Sequence, residues 1–218
     1  MSKTLTQIPK NLGFRLRFPC LKTSKKWSEK FELPVKHQLP SLGQFEGQNE
    51  FVDWRAGWND EGLYFTVIVT GKQQSMWCRE TAMLESDGVQ IWLDTRDTHN
   101  VHRATRFCHW FLAMPMGGGD TNKEPIFTML KINRAREDSS TIGSRALKVI
   151  TSKKKNGYKM SLFIPKAALN GWNMEDHSQL GFSIAVVDRE LGWQTIAAGP
   201  ELPISEDPSL WHSLELVD

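Results

Sequence analysis

The sequence predicts an all-β protein, a single antiparallel β-sandwich (jelly-roll or immunoglobulin-like) with long loops and one or two short helical turns. Apolar and polar residues alternate with a period of two in many short runs. Turn-forming residues separate these runs, and little of the chain shows the period of an amphipathic helix. Because almost no room is left for crossover helices, neighbouring strands are expected to pair antiparallel.

Ten predicted strands follow from these runs and the turns between them. In chain order they are residues 14–18, 54–58, 63–69, 88–94, 106–114, 147–151, 158–164, 180–188, 193–198 and 214–217. Pro19 is expected to limit the first strand, since proline cannot donate to a ladder. Asn156-Gly157 between two apolar runs is a strong hairpin signal. Residues 165–169 read as one helical turn with proline at its first position.

One face of these strands is expected to form the interior of the sandwich, because alternate residues share a face. The predicted core positions are Phe65, Val67, Val89, Ile91, Leu93, Leu162, Ile164, Phe182, Ile184 and Val186.

Composition narrows the class of protein. The chain has 218 residues, 39% of them hydrophobic and 24% charged, with a formal net charge of +2. These values predict one globular domain over residues 1–218, with a strand-containing extension at about 1–49, and no general attraction for nucleic acid. No apolar run is long enough to span a membrane, and the start does not resemble a signal peptide. Three widely spaced cysteines favour a reducing, cytoplasmic setting with free thiols.

Catalytic motifs are missing from the sequence, which predicts that the protein is not an enzyme. There is no nucleophile elbow, phosphate-binding loop or His-Glu-x-x-His pair. Glu85 and Asp87 are two residues apart, and solvated acids at a strand entrance explain them better than an acid/base pair. A hydrolase built from scattered acids and histidines is the third hypothesis for function.

The polar segment from Asp94 to His109 invites a metal-binding interpretation, which its spacing weakens. It contains His99, His102, Cys108 and His109. If residues 106–114 form a strand, Cys108 and His109 point to opposite faces and cannot share one ion. Haem ligation by His109 with a nearby methionine, Met114 or Met116, is a minor option, since methionine at a strand end more often fills a core.

The same segment is better interpreted as one side of a polar binding rim. Arginine forks and carboxamides can hydrogen-bond to hydroxyl groups, and a tryptophan ring can support the C–H face of a sugar. If the strands at 88–94 and 106–114 pair, Gln90 and Arg106 can face the same side. In the competing interpretation, Arg96, Arg103 and Arg106 only tie the loop to nearby acids, namely Asp94, Asp97 and Glu85. The predicted ligand-binding residues are Trp77, Arg79, Glu85, Gln90, Arg103, Arg106 and His109.

Five segments in order resemble a known group of domains. They are residues 58–65 (WNDEGLYF), 86–94 (SDGVQIWLD), 157–165 (GYKMSLFIP), 180–188 (LGFSIAVVD) and 207–214 (DPSLWHSL). Together they resemble carbohydrate-binding module family 9 and its wider DOMON-like superfamily, over roughly residues 50–218. The resemblance implies a β-sandwich, a noncatalytic role, capture of sugar ends between two tryptophans, and a structural calcium ion nearby.

Carried over residue by residue, the sugar clamp of that family is incomplete in this sequence. Leu84 stands at the first clamp tryptophan, the second falls near Gly199, and Gln90 replaces a ligand-contacting glutamate. The late strand offers few polar side chains at the corresponding positions, which are Ser183, Ala185 and Val187. An alternative stacking platform could come from Trp77, Trp110 or Trp193.

The leading functional hypothesis is therefore a noncatalytic module that binds a carbohydrate or similar polyhydroxy ligand. The tryptophan content, the polar rim and the resemblance support it. The missing clamp residues favour an alternative, a protein-interaction or subunit module without a small ligand. A haem- or metal-binding DOMON-like domain is the remote alternative.

Overall fold

The all-β prediction is confirmed by the computed structural model, which describes residues 15–41, 50–174, 176–196 and 202–218. Its strands are β1 (Arg17–Lys22), β2 (Val52–Asn59), β3 (Gly62–Thr70), β4 (Gly88–Asp94), β5 (Cys108–Gly118), β6 (Glu124–Leu130), β7 (Lys148–Lys154), β8 (Gly157–Pro165), β9 (Gln179–Asp188), β10 (Gly192–Thr195) and β11 (His212–Val217). Short 3-10 turns occur at Val35–His37, Glu80–Glu85, Ser144–Ala146, Lys166–Ala168 and Pro208–Leu210.

The strands form one continuous sheet that folds over a central core. The order across it is β6-β5-β4-β9-β11-β1-β2-β3-β8-β7, and β10 pairs with β9. The two halves face each other, as Phe65 of β3 and Phe182 of β9 show by stacking with ring centroids 6.1 Å apart. β1 runs parallel to both of its neighbours, so the sheet is mixed where the sequence predicted antiparallel pairing. Residues 17–22, within the predicted extension, thus form a strand in the middle of the sheet.

The predicted core is confirmed. All ten predicted interior residues belong to one hydrophobic cluster, and each is at most 1% exposed. Trp54, Trp58 and Trp172 extend the cluster, so three of the nine tryptophans are structural parts of the central core. Burying this apolar surface is the main source of stability in a sheet of this size.

Three strands differ from the prediction for identifiable reasons. β1 continues through Pro19, because β2 pairs with β1 only at Leu21 and Lys22 and needs no donor from Pro19. β6 was not predicted because Pro125 interrupts its pattern, but an edge strand tolerates proline. β5 begins at Cys108, after Arg106, and extends to Gly118 through an irregularity after Met114. Residues 14, 197 and 198 of the predicted strands lie outside the described residues.

Two smaller aromatic clusters cover parts of the outer faces of the sheet. Trp92 and Trp110 stack at 5.9 Å on the β4–β5 side, where Ile204 and Trp211 pack with them. On the β3–β8 side, four nearly parallel rings form a stack, made by Trp27, Phe31, Tyr64 and Phe163. These clusters close much of both outer faces, which limits where a ligand can reach the sheet.

Two further sequence expectations concern thiols and membrane spans. Cys20, Cys78 and Cys108 are free, as predicted, and Cys20 and Cys108 are buried. Within the described ranges, no helix is long and apolar enough to cross a membrane.

Candidate functional site

Gln90 lies at the centre of the outer face of β4. Its neighbours Val89 and Ile91 face the core, so alternation places Gln90 on the opposite side of the sheet. The ladder pairs Gln90 with Leu112 on β5 and Ala185 on β9. All three residues are at most 5% exposed. The amide therefore stands in a largely apolar setting.

The side-chain amide of Gln90 has no hydrogen-bond partner within the described part of the chain. Gln90 is 5% exposed, and its side chain forms no hydrogen bond within the described part of the chain. The amide nitrogen and oxygen of Gln90 are not among the fully buried side-chain atoms that lack a partner, so both keep contact with solvent. The amide of Gln90 is thus available to hydrogen-bond a bound ligand.

At the N-terminal end of β4, a tryptophan lies against two arginines. Trp77 is half-buried and held by its backbone, whose N–H donates to Asp87 over 3.0 Å. The guanidinium carbons of Arg79 and Arg189 lie 5.0 Å and 4.1 Å from its ring centroid. Cation–π contact keeps these guanidinium groups over the ring while leaving their N–H donors usable. Arg79 and Glu85 are both exposed, and Glu85 ends the 3-10 turn beside the arginines.

Trp193 is the most accessible of the three tryptophans predicted as alternative platforms. It is 37% exposed, whereas Trp110 is 8% exposed and stacked on Trp92, and Trp77 carries guanidinium groups on its ring. Trp193 pairs with Val187 of β9, which pairs in turn with Gly88 of β4. This row lies two residues along the strands from that of Gln90, on the same face, so about 12 Å separates the Cα atoms of Gln90 and Trp193.

Arg189 contacts Trp77 and lies close in the chain to the β9 residue that pairs with Trp193. It directly follows β9, two residues after the Val187 that pairs with Trp193, and its side chain covers Trp77. We call this set the Trp77–Trp193 surface, made of Trp77, Arg79, Gln90, Arg189 and Trp193. Sequence reasoning missed Arg189, because its only signal is its position just after the last residue of the late strand.

The other three predicted rim residues lie at the opposite end of β4. Arg106 precedes β5 and is six residues before Leu112, the partner of Gln90, which corresponds to about 20 Å along an extended chain. The expectation that Gln90 and Arg106 lie together on one rim is therefore wrong, because the register separates them along the strands. Arg103 lies in the same distant loop, and His109 pairs with Leu93 on the core side.

The arginines of that loop are engaged in local contacts, as the competing interpretation expected, but with other partners. Arg103 donates to the backbone carbonyls of Arg134 and Ala135 over 2.9 and 3.4 Å. Arg106 forms an exposed ion pair with Glu137 at 3.8 Å and stacks on Phe107. Both arginines thus hold neighbouring loop segments, and neither is directed toward the Trp77–Trp193 surface.

His109 is a buried structural histidine. It is 0% exposed, and its Nε2 accepts a hydrogen bond of 3.0 Å from the backbone N–H of Asn170. Burial lowers the pKa of His109 to about 4, so the ring is neutral near neutral pH. This placement gives His109 no route to a ligand on the outer face.

A Ser-His-Asp cluster exists in the structure, but its geometry differs from that of a nucleophilic triad. His99 Nε2 lies 2.6 Å from Asp97 and 3.3 Å from Ser213 Oγ, so one nitrogen faces both groups. A triad needs the serine and the acid on different ring nitrogens. Ser213 is also only 1% exposed, which closes it to substrates. The cluster is therefore a structural hydrogen-bond network that ties the loop to β11.

The residues considered for metal or haem ligation are not arranged as ligands. With Lys72 and all other side chains in place, the described ranges contain no group of three or more His, Cys, Asp or Glu side chains that could hold a metal ion. His102 is exposed and bonds to Asp207, whereas His109 is buried. Met114 and His109 lie on opposite faces of β5, so they cannot ligate one haem together.

One cluster of three carboxylates has a lysine at its centre. Lys72 Nζ lies 2.7 Å from Asp188, 3.1 Å from Asp87 and 3.6 Å from Glu190. The lysine and both aspartates are at most 3% exposed in their side chains. Since the ammonium occupies the space between the carboxylates, these residues do not fit the structural calcium ion that the family resemblance implies.

The clamp positions of the family are only partly described. Leu84 is 52% exposed on the Glu80–Glu85 turn, whereas Gly199 lies outside the described residues. Ser183 and Ala185 are buried on the outer face of β9, and Val187 is half-buried. Trp193, which is 37% exposed, lies at the same end of β4 as Leu84.

Comparisons with known proteins support the fold alone. No protein-family model and no curated protein matches the sequence. Among solved structures, the chain is similar to a carbohydrate binding module family 9 protein from Caldicellulosiruptor kristjanssonii in complex with cellotriose, with a TM-score of 0.60, 15% identity, and coverage of 93% of this chain and 94% of that one. A family 9 structure from the same organism in complex with glucose gives a TM-score of 0.61 at 12% identity, covering 92% and 95%. The protein therefore has a CBM9-like fold. The DOMON-like part of the resemblance stays a prediction.

Proposed function

We propose that the protein is a noncatalytic carbohydrate-binding module, and that the Trp77–Trp193 surface holds the saccharide. The observation that carries this proposal is Gln90. Its amide lies at the centre of a sheet face, keeps contact with solvent, and has no hydrogen-bond partner among the described residues. An amide in this position can exchange its contact with water for hydrogen bonds to the hydroxyl groups of a ligand.

Each residue of the surface has a chemical role in this proposal. The exposed ring of Trp193 supports the C–H face of a pyranose, and the Gln90 amide donates to and accepts from its hydroxyl groups. Arg189 and Arg79 offer planar N–H forks beside the ring of Trp77. Because stacking and hydroxyl recognition need no acid/base pair, the proposed activity is binding only.

The structural neighbours support the ligand class. The family 9 structures with which the chain shares its fold were solved in complex with cellotriose and with glucose. Glucose and cello-oligosaccharides are therefore the first ligands to test. The departures at Leu84 and Gly199 favour a ligand range that differs from one built on two clamp tryptophans.

The protein-interaction alternative has weaker support in the structure. It requires a contiguous exposed apolar patch of several hundred Å². The large hydrophobic side chains that are exposed in the described ranges are Val35, Leu84 and Trp193. Val35 lies on a different segment from the other two, in the Val35–His37 turn. Single exposed residues of this kind are ordinary on a protein surface.

The test is a thermal-shift screen with mono- and oligosaccharides, followed by calorimetry on matched arginine variants. Arg189 and Arg106 both stack on an aromatic ring, at opposite ends of β4. We expect Arg189→Ala and Trp193→Ala each to weaken binding at least tenfold, a loss of about 1.4 kcal/mol. Arg106→Ala is the control and should leave the affinity unchanged within about twofold.

Two results would contradict the proposal. If no saccharide in the screen raises the melting temperature or binds in calorimetry, the ligand class is wrong. If a saccharide binds and Arg106→Ala weakens it while Arg189→Ala and Trp193→Ala do not, the site lies at the other end of β4, as the sequence-based rim allowed.

A further inference from the structure

We infer that the Lys72 ammonium is a built-in cation that replaces a bound divalent metal ion at the N-terminal end of β4. Three carboxylates converge on its Nζ, at 2.7 Å for Asp188, 3.1 Å for Asp87 and 3.6 Å for Glu190. Convergence of several carboxylates on one point is the arrangement with which proteins bind Ca²⁺. Here a covalently attached cation occupies that point.

The carboxylates are held in place independently of the lysine. Six backbone N–H groups donate to them, two to each acid. Asp87 receives those of Trp77 and Arg189, and Asp188 receives those of Glu190 and Leu191. We expect such a cage to persist when its central cation changes, because the oxygen atoms are positioned by backbone from two segments, residues 73–77 and 189–191.

The cation, in turn, is required by the cage. Asp87 and Asp188 are both 0% exposed in their side chains, and two buried carboxylates repel each other unless a positive charge separates them. Lys72 is 3% exposed in its side chain and donates to both oxygens of Asp188, at 2.7 and 2.8 Å. Burial alone would lower the pKa of Lys72, but hydrogen bonds and charge from Asp188 and Asp87 outweigh it and raise that pKa.

Local backbone geometry delivers the lysine to this position. β3 ends at Thr70, and Gly71 follows with a φ of 96°, a conformation that favours glycine. The N–H of Lys72 then donates to the carbonyl of Asn156 over 3.1 Å in the β7–β8 turn. The turn therefore aims the side chain at the carboxylates, while Lys153, Lys154 and Lys155 at the neighbouring hairpin tip are exposed.

The inference is tested by thermal unfolding of the full chain in CaCl2 and in EDTA. We expect the melting temperature of the wild type to be the same in both. Lys72→Ala removes the ammonium and leaves room for an ion, so it should melt lower in EDTA and regain stability as CaCl2 is added. Lys72→Met lacks the charge but fills the space, and should be destabilised without rescue. Lys155→Ala is the surface control and should respond to neither.

The outcomes separate clearly. If Lys72→Ala is unfolded after purification, circular dichroism should show that CaCl2 refolds it, and failure to do so would overturn the inference. Terbium luminescence on the wild type gives a second readout. If wild-type protein binds Tb³⁺ and gains stability from CaCl2, and Asp188→Asn abolishes both effects, the site holds a metal beside the lysine and the replacement is wrong. None of these results depends on saccharide binding.

Discussion

The two ends of β4 carry the same kinds of residue and stabilise them differently. Each end has a buried aspartate, with Asp87 0% and Asp94 3% exposed. Asp87 has a lysine partner at 3.1 Å. Asp94 accepts hydrogen bonds from the backbone N–H groups of Arg96 and Thr98 at 2.9 and 2.7 Å, and no ion pair with it is formed among the described residues. Burial, opposed by these bonds, raises the pKa of Asp94.

The arginines show the same contrast. At the C-terminal end, Arg103 bonds to loop carbonyls and Arg106 pairs with Glu137. At the N-terminal end, Arg79 and Arg189 lie over an aromatic ring near an exposed tryptophan. The comparison teaches that residue types alone do not mark a site. What distinguishes the proposed binding end is that its donors are left available by their neighbours.

Substitution of the two aspartates should give the largest difference in stability between the two ends of β4. Asp87→Asn leaves a buried lysine short of a counter-charge, and we expect it to lower the free energy of unfolding by about 3–5 kcal/mol. Asp94→Asn removes no cation partner and should cost about 1 kcal/mol, the value of one hydrogen bond. Urea denaturation of both variants measures the difference. Equal losses would mean that the lysine contributes nothing specific to the N-terminal end.

In the middle of β4, the contribution to stability is expected to come from core packing. Ile91 is 1% exposed within the central core, so Ile91→Ala should lower the free energy of unfolding by about 2–5 kcal/mol through lost burial and a residual cavity. Ile184→Ala, at its cross-strand partner on β9, should cost a similar amount. Losses below about 0.5 kcal/mol at both positions would contradict the assignment of this face to the core.

Part of the protein's loss of stability in acid should come from two histidines near the C-terminal end of β4. Burial lowers the pKa of His109 to about 4, and burial followed by the charge of His99 lowers that of His212 to about 4. Between the ordinary value of 6.5 and about 4, the unfolded chain takes up protons that the folded chain does not. The stabilising contribution of these neutral histidines is therefore fully present above pH 6.5. Below that pH the free energy of unfolding should fall, by up to about 1.4 kcal/mol per pH unit for each histidine.

Unfolding curves between about pH 7 and about pH 5 test this slope. His109→Gln removes one titrating ring, so its stability should depend less steeply on pH than that of the wild type. His102→Gln is the matched control, because the His102 side chain is 78% exposed. A slope unchanged by His109→Gln, or reduced equally by His102→Gln, would assign the acid sensitivity to other groups.

The smallest change in stability is expected at Gln90. Gln90→Met replaces an amide that contacts solvent and has no protein partner with an apolar side chain of similar length, so the free energy of unfolding should change by less than about 0.5 kcal/mol. Saccharide binding should fall at least about tenfold in the same variant. A clear loss of stability would show that the amide has a structural partner and would weaken its assignment to the ligand.

The sequence was sufficient to predict most of the fold. The alternation of Val89, Ile91 and Leu93, and that of Phe182, Ile184 and Val186, placed these six residues in the core correctly, and the same pattern did so for four more on β3 and β8. Such patterns are local, because every second residue of a strand shares a face wherever the strand pairs. β6 and the start of β5 were less accessible to this reasoning, since Pro125 and the long polar loop before Cys108 obscure the pattern.

The composition of the candidate site depended on contacts that only the tertiary structure decides. The sequence by itself identified Trp77, Arg79 and Gln90 as residues capable of binding, and their chemistry was readable from residue type. It could not give the register that pairs Gln90 with Leu112 and keeps Arg106 about 20 Å away, because register depends on long-range pairing. It also could not show that Arg189 covers Trp77 or that Lys72 meets Asp188, which lies 116 residues later. Interactions between distant segments leave no periodic signal in the chain, so the fold alone brings them together.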